Sequence, residues 1–282
     1  MIIAVASGKG GTGKTTIAVS LALSIENVQF FDCDVEEPNA HIFLKPVIKE
    51  TFEAFISVPE IIKEKCTLCG KCAEICAYNA IAVIKGNKNK KVLVFNNICH
   101  GCGACFMLCP NGAIKEVDRK IGVVEKSIAG NIDFIQGKLD IGEPMSPPII
   151  RQIKNNIDKS KTVIIDSPPG TSCPVITAVK DSDFCLLVTE PTPFGLNDLK
   201  LAINTVRKIN IPYGVVINRS NLGDDKTEKY CIEENVPVLM KIPFDRKIAE
   251  AYSKGYSIVD KFPEYKSKFL DLFLNISNKI GG

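Results

Sequence analysis

The segment at residues 7–16 reads Ser7-Gly8-Lys9-Gly10-Gly11-Thr12-Gly13-Lys14-Thr15-Thr16. It matches the pattern G-x-x-x-x-G-K-[ST], in which the backbone N–H groups of a glycine-rich loop surround the phosphates of a nucleotide. An apolar run at residues 1–6, typical of a buried strand, precedes it, and an apolar run at residues 17–23, typical of a helix, follows. In that context Lys14 is predicted to reach the β- and γ-phosphates and Thr15 to hold Mg²⁺. The segment predicts nucleotide binding.

The composition is that of a globular protein, with 45% hydrophobic and 24% charged residues among 282. A formal net charge of +3 is too small to indicate nucleic acid or a membrane surface as a partner. The N-terminal apolar run leads directly into the glycine-rich loop, so it is not a signal peptide. Apolar stretches in the sequence also fall short of the roughly eighteen residues needed to span a bilayer. We expect a cytoplasmic protein.

Strands and helices alternate along most of the chain. Apolar runs typical of buried strands occur at residues 28–32, 162–166, 184–189, 213–218 and 238–242, and helices are predicted at residues 149–158 and 196–208. This alternation predicts an α/β fold with a mostly parallel sheet and helices on both faces. Ligands of such sheets bind at the carboxyl ends of the strands, where the glycine-rich loop, Asp32, Asp166 and Asn218 fall.

Three other segments are less regular. Val123–Val124 and Phe134–Ile135 are interpreted as short strands, and Lys85–Lys91 as a turn rich in Lys, Asn and Gly. Near the C-terminus, apolar residues at helical spacing from Phe269 to Ile280 are accompanied by lysines. This last helix either packs on the sheet or is a basic amphipathic helix that binds membranes.

Eight of the twelve cysteines lie between Cys66 and Cys109. In a reducing compartment, clustered cysteines more often bind metal or carry out redox chemistry than form disulfides. They form two runs, Cys66-x2-Cys69-x2-Cys72-x3-Cys76 and Cys99-x2-Cys102-x2-Cys105-x3-Cys109-Pro110. A shift of 33 positions superposes the two runs, and it also brings Ala80-Ile81 onto Ala113-Ile114. The block is therefore an internal duplication.

This spacing resembles that of bacterial two-cluster ferredoxins, in which the fourth cysteine of each run ligates the other cluster. The resemblance implies two [4Fe–4S] clusters, one held by Cys66, Cys69, Cys72 and Cys109 and the other by Cys99, Cys102, Cys105 and Cys76. Cys76 is followed by Ala77 instead of proline, which affects only the local turn. His100 is expected to be exposed or hydrogen-bonded to a cluster sulfur. The alternative is a pair of structural zinc sites, since four thiolates also suit Zn²⁺.

The cysteine block interrupts the alternation of strands and helices, so we interpret it as an inserted domain. The predicted limits are residues 60–118 for a small α+β two-cluster ferredoxin-like domain, and residues 1–59 and 119–282 for a discontinuous nucleotide-binding domain.

The glycine-rich segment resembles the deviant Walker A loop of the MinD/ParA/nitrogenase-iron-protein ATPases, which is marked by an additional lysine, here Lys9. In that family the lysine reaches across a dimer interface to the nucleotide of the partner subunit. The resemblance therefore implies an ATP-sandwich homodimer in which Lys9 stabilises charge during phosphoryl transfer.

The resemblance extends to further loops at strand ends. Asp32-Cys33-Asp34 resembles switch I, so Asp34 is expected to orient the attacking water, while Asp32 supports it or contacts Mg²⁺ through water. Asp166 to Thr171 resembles switch II, with Asp166 near Mg²⁺ and Gly170 sensing the γ-phosphate. Further implied contacts are to the adenine base, from Asn218, Arg219 and the loop Pro243-Phe244-Asp245.

Four cysteines lie outside the block. Cys33, Cys185 and Cys231 are interpreted as apolar fillers. Cys173 follows switch II, at an offset similar to that of a cluster-ligating cysteine of the nitrogenase iron protein. A cluster bridging two subunits through Cys173 is the alternative to a buried small thiol.

The leading hypothesis for function is an ATPase that couples dimer switching to electron transfer through two [4Fe–4S] clusters, with an unidentified redox partner. The second is an ATPase that assembles Fe–S or metal cofactors or delivers them to an acceptor protein. The third is a MinD/ParA-like spatial organiser whose clusters sense redox state.

Overall fold

The computed structural model of the protein describes residues 1–86 and 90–281. The middle of the predicted Lys85–Lys91 turn, residues 87–89, lies outside this part of the chain. The strands of the described part are β1 (Ile2–Ala6), β2 (Val28–Asp32), β3 (Val47–Ile61), β4 (Ile81–Lys85), β5 (Lys90–Val94), β6 (Ile114–Ala129), β7 (Ile132–Leu139), β8 (Thr162–Asp166), β9 (Phe184–Thr189), β10 (Tyr213–Asn218) and β11 (Val238–Ile242).

The helices connect these strands. They are α1 (Lys14–Ala22), α2 (His41–Leu44), α3 (Lys71–Glu74), α4 (Ala104–Met107), α5 (Pro147–Lys154), α6 (Cys173–Val179), α7 (Pro193–Lys208), α8 (Lys226–Glu233), α9 (Arg246–Ser253), α10 (Ile258–Lys261) and α11 (Glu264–Gly281). Single 3₁₀ turns occur at Lys63–Lys65 and Asn96–Ile98. Within the described residues, none of the helices is both long and apolar enough to cross a membrane.

The main sheet has the strand order β11-β10-β9-β1-β8-β2-β7-β6-β3 in the described chain. Every pair from β11 to β7 is parallel, which confirms the predicted mostly parallel sheet. Asp32 at the end of β2 is in register with Asp166 at the end of β8, and Asp166 is also in register with Val5 of β1. Parallel pairing thus brings the loop after β1 and both carboxylates to one edge of the sheet.

Helices cover both faces of the sheet. Ile3 and Val5 of β1 share one hydrophobic core with residues of α1 and α11. Because successive strand residues point to opposite faces, Ala4 faces the other side, and it is also fully buried. Phe269 and Ile276 of α11 have no solvent-exposed surface and belong to the same core as Ile3. The C-terminal helix therefore packs on the sheet.

The polar stretches beside the cysteine block contain more strand than the sequence predicted. Val123–Val124 is part of the 16-residue β6, and Phe134–Ile135 is part of the 8-residue β7. β3 was not predicted at all, because most of its 15 residues are exposed and Lys49, Glu50 and Glu53 interrupt its apolar residues. The helix expected at residues 149–158 instead spans Pro147–Lys154, which agrees with the preference of proline for the first turn.

The chain divides into two compact units. One comprises Met1–Phe52, Val124–Lys138 and Ile150–Gly282, and the other comprises Glu53–Val123 and Leu139–Ile149. The second, which we call the cysteine unit, contains the antiparallel hairpin of β4 and β5 together with the short helices α3 and α4.

Candidate functional site: a phosphate-binding cleft and two cysteine quartets

The glycine-rich loop after β1 is shaped by two glycines that admit no side chain. Gly13 has a φ of +90°, and a Cβ there would lie 2.4 Å from Nδ2 of Asn218. At Gly8 a Cβ would lie 2.2 Å from the carbonyl oxygen of Asp198 in α7. The Asn218 amide itself donates a hydrogen bond to the Thr12 carbonyl over 2.9 Å. The loop therefore packs closely against the end of β10 and against the N-terminal half of α7.

Lys14, in the first turn of α1, lies between two of the predicted acidic residues. Its Nζ is 2.8 Å from Oδ1 of Asp166 and 3.9 Å from Oδ2 of Asp34. Burial opposes the positive charge, but Asp166 and then Asp34 and Asp32 outweigh burial, so the pKa of Lys14 is raised above its ordinary value. Lys14 remains a cation at the point where phosphate is expected.

Asp32 organises the loop that follows β2. It is fully buried, and its carboxylate accepts hydrogen bonds from the backbone N–H groups of Asp34, Asn39 and Ala40 over 3.0–3.1 Å. Burial, followed by the charge of Asp166, raises the pKa of Asp32 to about 7. Asp32 thus supports the loop that carries Asp34.

Asp34 and Asp166 are the acidic groups closest to Lys14. Burial raises the pKa of Asp34 to about 6, against the opposing effect of Lys14. One carboxylate oxygen of Asp166 bonds Lys14, whereas the other, Oδ2, is buried without a hydrogen-bond partner among the described residues. A buried, unpaired carboxylate oxygen fits a divalent cation, for which oxygen donors are preferred.

Two further loops complete the cleft. The Gly170 N–H donates to the Ser7 carbonyl over 2.9 Å, which ties the segment after β8 to the glycine-rich loop. A cleft of about 400 Å³ is lined by residues of the glycine-rich loop and by the later segments that the sequence predicted near the base: Lys9, Gly10, Gly11, Thr12, Gly13, Lys14, Thr15, Thr16, Asp34, Asn218, Arg219, Pro243, Phe244 and Asp245. This volume is in the range of small-molecule sites.

Lys9 has a partner within its own chain that sequence patterns did not indicate. Its Nζ lies 2.7 Å from Oε1 of Glu190, which directly follows β9. The other oxygen of Glu190 lies 3.0 Å from Nη1 of Arg219. Glu190 belongs to no recognised nucleotide-binding motif, so only its position at a strand end could have drawn attention to it.

The eight clustered cysteines line two separate cavities in the cysteine unit. Cys66, Cys69 and Cys72 of the first run line one cavity together with Cys109 of the second run. Cys99, Cys102 and Cys105 line the other together with Cys76. We call these sets the first and second quartets. The crossed grouping that the ferredoxin-like spacing implied is thus present in the structure.

Backbone hydrogen bonds reach one cysteine of each quartet. Among the described residues, no three His, Cys, Asp or Glu side chains are placed to hold one metal ion. In each quartet the crossing cysteine accepts a backbone N–H, Cys76 from Ala80 and Cys109 from Ala113, both over 3.2 Å. Backbone hydrogen bonds to thiolate sulfur are a known feature of Fe–S sites.

Aromatic and polar pairs lie against the quartets. The rings of Tyr78 and His100 stack with centroids 3.5 Å apart beside the second quartet. Beside the first quartet, the Asn111 amide donates to the Thr67 hydroxyl over 2.7 Å. His100 is exposed, as the sequence predicted.

The four remaining cysteines differ in exposure. Cys33, Cys185 and Cys231 are buried, in agreement with the prediction of apolar fillers. Burial raises the pKa of Cys185 to about 12 and that of Cys231 to about 11, so both thiols stay protonated. Cys173, at the start of α6, is exposed, and the prediction of a buried small thiol there is wrong.

Sequence comparison identifies relatives over nearly the whole chain. An uncharacterized protein of Methanocaldococcus jannaschii is 35% identical over 267 residues, covering 92% of this chain and 91% of the relative. The iron-sulfur cluster carrier protein of Pyrococcus horikoshii is 28% identical over 302 residues, covering 99% of this chain and 86% of the relative.

Structural comparison gives the same fold. The cell division ATPase MinD of Pyrococcus furiosus superposes with a TM-score of 0.59 at 20% identity, covering 98% of both chains. The family model described as the CobQ/CobB/MinD/ParA nucleotide binding domain matches residues 3–258. The match includes the glycine-rich loop, both switch-like loops and the Asn218 strand end, so the chain belongs to the CobQ/CobB/MinD/ParA nucleotide-binding family.

Proposed function

We propose that this protein is a Mg²⁺-dependent ATPase whose nucleotide cycle controls the delivery of iron–sulfur clusters from its cysteine unit to an acceptor protein. Two crossed cysteine quartets on the same chain as a nucleotide-binding cleft are the observation that carries the proposal. The iron-sulfur cluster carrier relatives, which span 99% of this chain, support delivery over other uses of the clusters.

For ATP hydrolysis, the roles follow from position in the cleft. Lys14 binds the β- and γ-phosphates, Thr15 and Asp166 hold Mg²⁺, and Asp34 orients the attacking water. Gly170 senses the γ-phosphate from the loop after β8, which its N–H ties to the glycine-rich loop. Asn218, Arg219, Pro243 and Asp245 surround the base.

For dimerisation, Lys9 is the group that a second subunit requires. It is only partly exposed, and in the single chain it is paired with Glu190. We propose that ATP binding brings two copies face to face and that Lys9 then exchanges Glu190 for the nucleotide of the partner subunit. A cation placed beside the transferred phosphoryl group stabilises the charge of the transition state.

For cluster binding, each quartet supplies four cysteine ligands to one [4Fe–4S] cluster. Burial raises the pKa of Cys105 to about 11, and the nearby Cys99 and Cys102 contribute to the increase. Cluster binding must therefore displace a proton from the Cys105 thiol, as thiolate ligation generally does. The bound clusters supply iron–sulfur units for transfer, or one-electron redox chemistry.

Electron transfer is the second candidate function, and the crossing of the quartets favours it. Because Cys76 and Cys109 each serve the quartet of the other run, release of one cluster disturbs both runs. Such an arrangement suits clusters that stay bound and exchange electrons with a redox partner.

The experiment that tests the proposal is anaerobic cluster transfer. The protein is purified without oxygen, and iron analysis is expected to give about eight iron atoms per chain, four for each cluster. The holo protein is then mixed with an apo-ferredoxin acceptor, with and without Mg·ATP, and the re-isolated acceptor is examined by absorption and circular dichroism. Transfer is expected to accelerate with ATP in the wild type but not in Lys14→Ala.

Matched cysteine variants control the experiment. Cys72→Ser is expected to lose iron, whereas Cys173→Ser, which removes an exposed cysteine outside both quartets, keeps it. Clusters that remain on the protein throughout ATP turnover would exclude delivery, and ATP-dependent reduction of an acceptor would then support electron transfer. A protein that binds two zinc atoms in place of iron would contradict both cluster delivery and electron transfer.

A further inference from the structure

The internal duplication allows the two quartets to be compared residue by residue. Positions that line the first cavity reappear, shifted by 33, among those that line the second. Three such pairs are Gly70 with Gly103, Lys71 with Ala104, and Val83 with Glu116. Because the sequence around the two quartets is duplicated, differences between paired side chains show how the electrostatic environments of the two quartets differ.

Cationic side chains are concentrated at the first quartet. Lys71 lines its cavity. Nζ of Lys85 lies 3.7 Å from the position that a Cβ of Gly70 would take, between Cys69 and Cys72. The 3₁₀ turn before the first run, Lys63-Glu64-Lys65, carries a further net positive charge, whereas its counterpart Asn96-Asn97-Ile98 is uncharged.

The second quartet has the opposite charge beside it. Glu116 lines its cavity where the first has Val83. Its Oε1 lies 3.4 Å from the position that a Cβ of Gly103 would take, between Cys102 and Cys105. The counterpart of Lys71 is the uncharged Ala104. The two cavities are therefore lined by charged side chains of opposite sign, Lys71 at the first and Glu116 at the second.

We infer that this chain makes its two cluster sites electrostatically unequal, so that the first quartet takes up an electron before the second. The inference rests on the proposed presence of a [4Fe–4S] cluster in each quartet. Reduction adds one negative charge to a cluster, which Lys71 and Lys85 stabilise and Glu116 opposes. An electron that enters at the second quartet from a one-electron donor is passed to the first, so the second is reoxidised as the first is reduced.

The position of the charges defines the roles of these residues. None of them is a ligand, so they act through the field they produce at the cysteines. All lie at the surface, where solvent screens charge, so the expected difference is moderate. We expect the reduction equilibria of the two clusters to differ by about tenfold, which is about 59 mV for a one-electron couple.

The test is a redox titration of the anaerobic holo protein, followed by EPR at pH 8.5, where imidazole groups are neutral. The wild type is expected to be reduced in two one-electron steps. The duplication supplies mirror-image variants. Glu116→Val is expected to raise the lower potential, and Val83→Glu to lower the higher one, so each narrows the gap. Glu116→Gln repeats the first change with little alteration of shape.

The outcomes separate this inference from the proposed function. Two clusters that are reduced at one potential, or a gap unchanged in Glu116→Val, Glu116→Gln and Val83→Glu, would overturn the inference and leave the proposed clusters intact. A widened gap in Glu116→Gln would show that the assigned order is reversed. A protein that binds no cubane cluster would overturn the proposed function and the inference together.

Discussion

Nζ of Lys9 lies 2.7 Å from Oε1 of Glu190 in the same chain, with 30% and 13% of the two side chains exposed. An intermolecular role for Lys9 requires this ion pair to break. Pairs of this partly exposed kind contribute about 0.2–1 kcal/mol. We therefore expect Glu190→Gln to increase ATP-dependent dimerisation and hydrolysis by roughly 1.4- to fivefold, as measured by sedimentation and phosphate release.

Charge removal elsewhere is the control for that variant. Glu234 pairs with Arg207 over 2.9 Å on the surface, and Glu234→Gln is expected to leave both measurements unchanged. Lys9→Ala combined with Glu190→Gln should behave like Lys9→Ala alone. A Glu190→Gln protein that dimerises less than the wild type would contradict the release of Lys9.

The two lysines of the glycine-rich loop are expected to have separable effects. Lys14→Ala removes a cation that is buried against Asp166, and nucleotide affinity should decrease by about a hundredfold. Lys9→Ala should bind nucleotide nearly normally but lose dimerisation and hydrolysis. Titration with a fluorescent ATP analogue measures the nucleotide affinity, and the rate of phosphate release measures hydrolysis. Equal loss of binding in both variants would refute this division.

The acidic residues of the cleft predict a pH dependence of stability in the nucleotide-free protein. The pKa of Asp34 is raised to about 6 and that of Asp32 to about 7, so the folded state binds these protons more tightly than the unfolded state. Their contribution to the free energy of unfolding is complete below the ordinary pKa of about 4 and is lost as the pH rises through 6 to 7.

Urea unfolding at pH 5, 6, 7 and 8 measures this dependence. Asp34→Asn should reduce the change in the free energy of unfolding between pH 5 and 7, because it removes one of the groups that titrate there. The difference in the free energy of unfolding between wild type and variant is the informative quantity, since carboxylates far from the cleft contribute equally to both. If the free energies of unfolding of wild type and Asp34→Asn differ by the same amount at every pH, the pKa of Asp34 is not raised by folding.

Gly13 and Gly10 provide a test of the loop geometry. Gly13→Ala would place a Cβ 2.4 Å from Nδ2 of Asn218 at a φ of +90°, whereas a Cβ at Gly10 meets nothing within 4 Å in the described chain. We expect Gly13→Ala to lower the free energy of unfolding by about 1–3 kcal/mol and Gly10→Ala to change it little. Equal effects would contradict the close contact with Asn218.

Central strands and the loops at their ends were predictable from sequence. Runs such as Thr162-Val163-Ile164-Ile165-Asp166 are apolar throughout because the strand is buried on both faces, and the acid marks where it ends. The resemblance of the cysteine spacing to that of two-cluster ferredoxins likewise implied the sets of four cysteines that line each cavity. In both cases neighbouring residues in the sequence record the requirement directly: burial on both faces for the strands, and cysteine spacing for the cavities.

Contacts between distant segments were not predictable in this way. β3 is rich in β-branched and aromatic residues, but it is mostly exposed and charged residues interrupt its apolar ones, so it shows no continuous apolar run. Pairing of Glu190 with Lys9, or of Asn218 with Thr12, joins residues about 180 to 200 positions apart. Single-sequence patterns contain no signal for such pairs.

The crossing of the two quartets has a topological consequence. With clusters bound, one cross-link would join Cys66 to Cys109, and a second would join Cys76 to Cys105 inside the same segment. Nested cross-links restrict the unfolded chain more than two separate small loops would, because the outer one closes a longer loop. Loss of Cys109 would therefore open the outer ring and leave the inner one closed, so iron loss and unfolding of the segment should proceed from the outside inward.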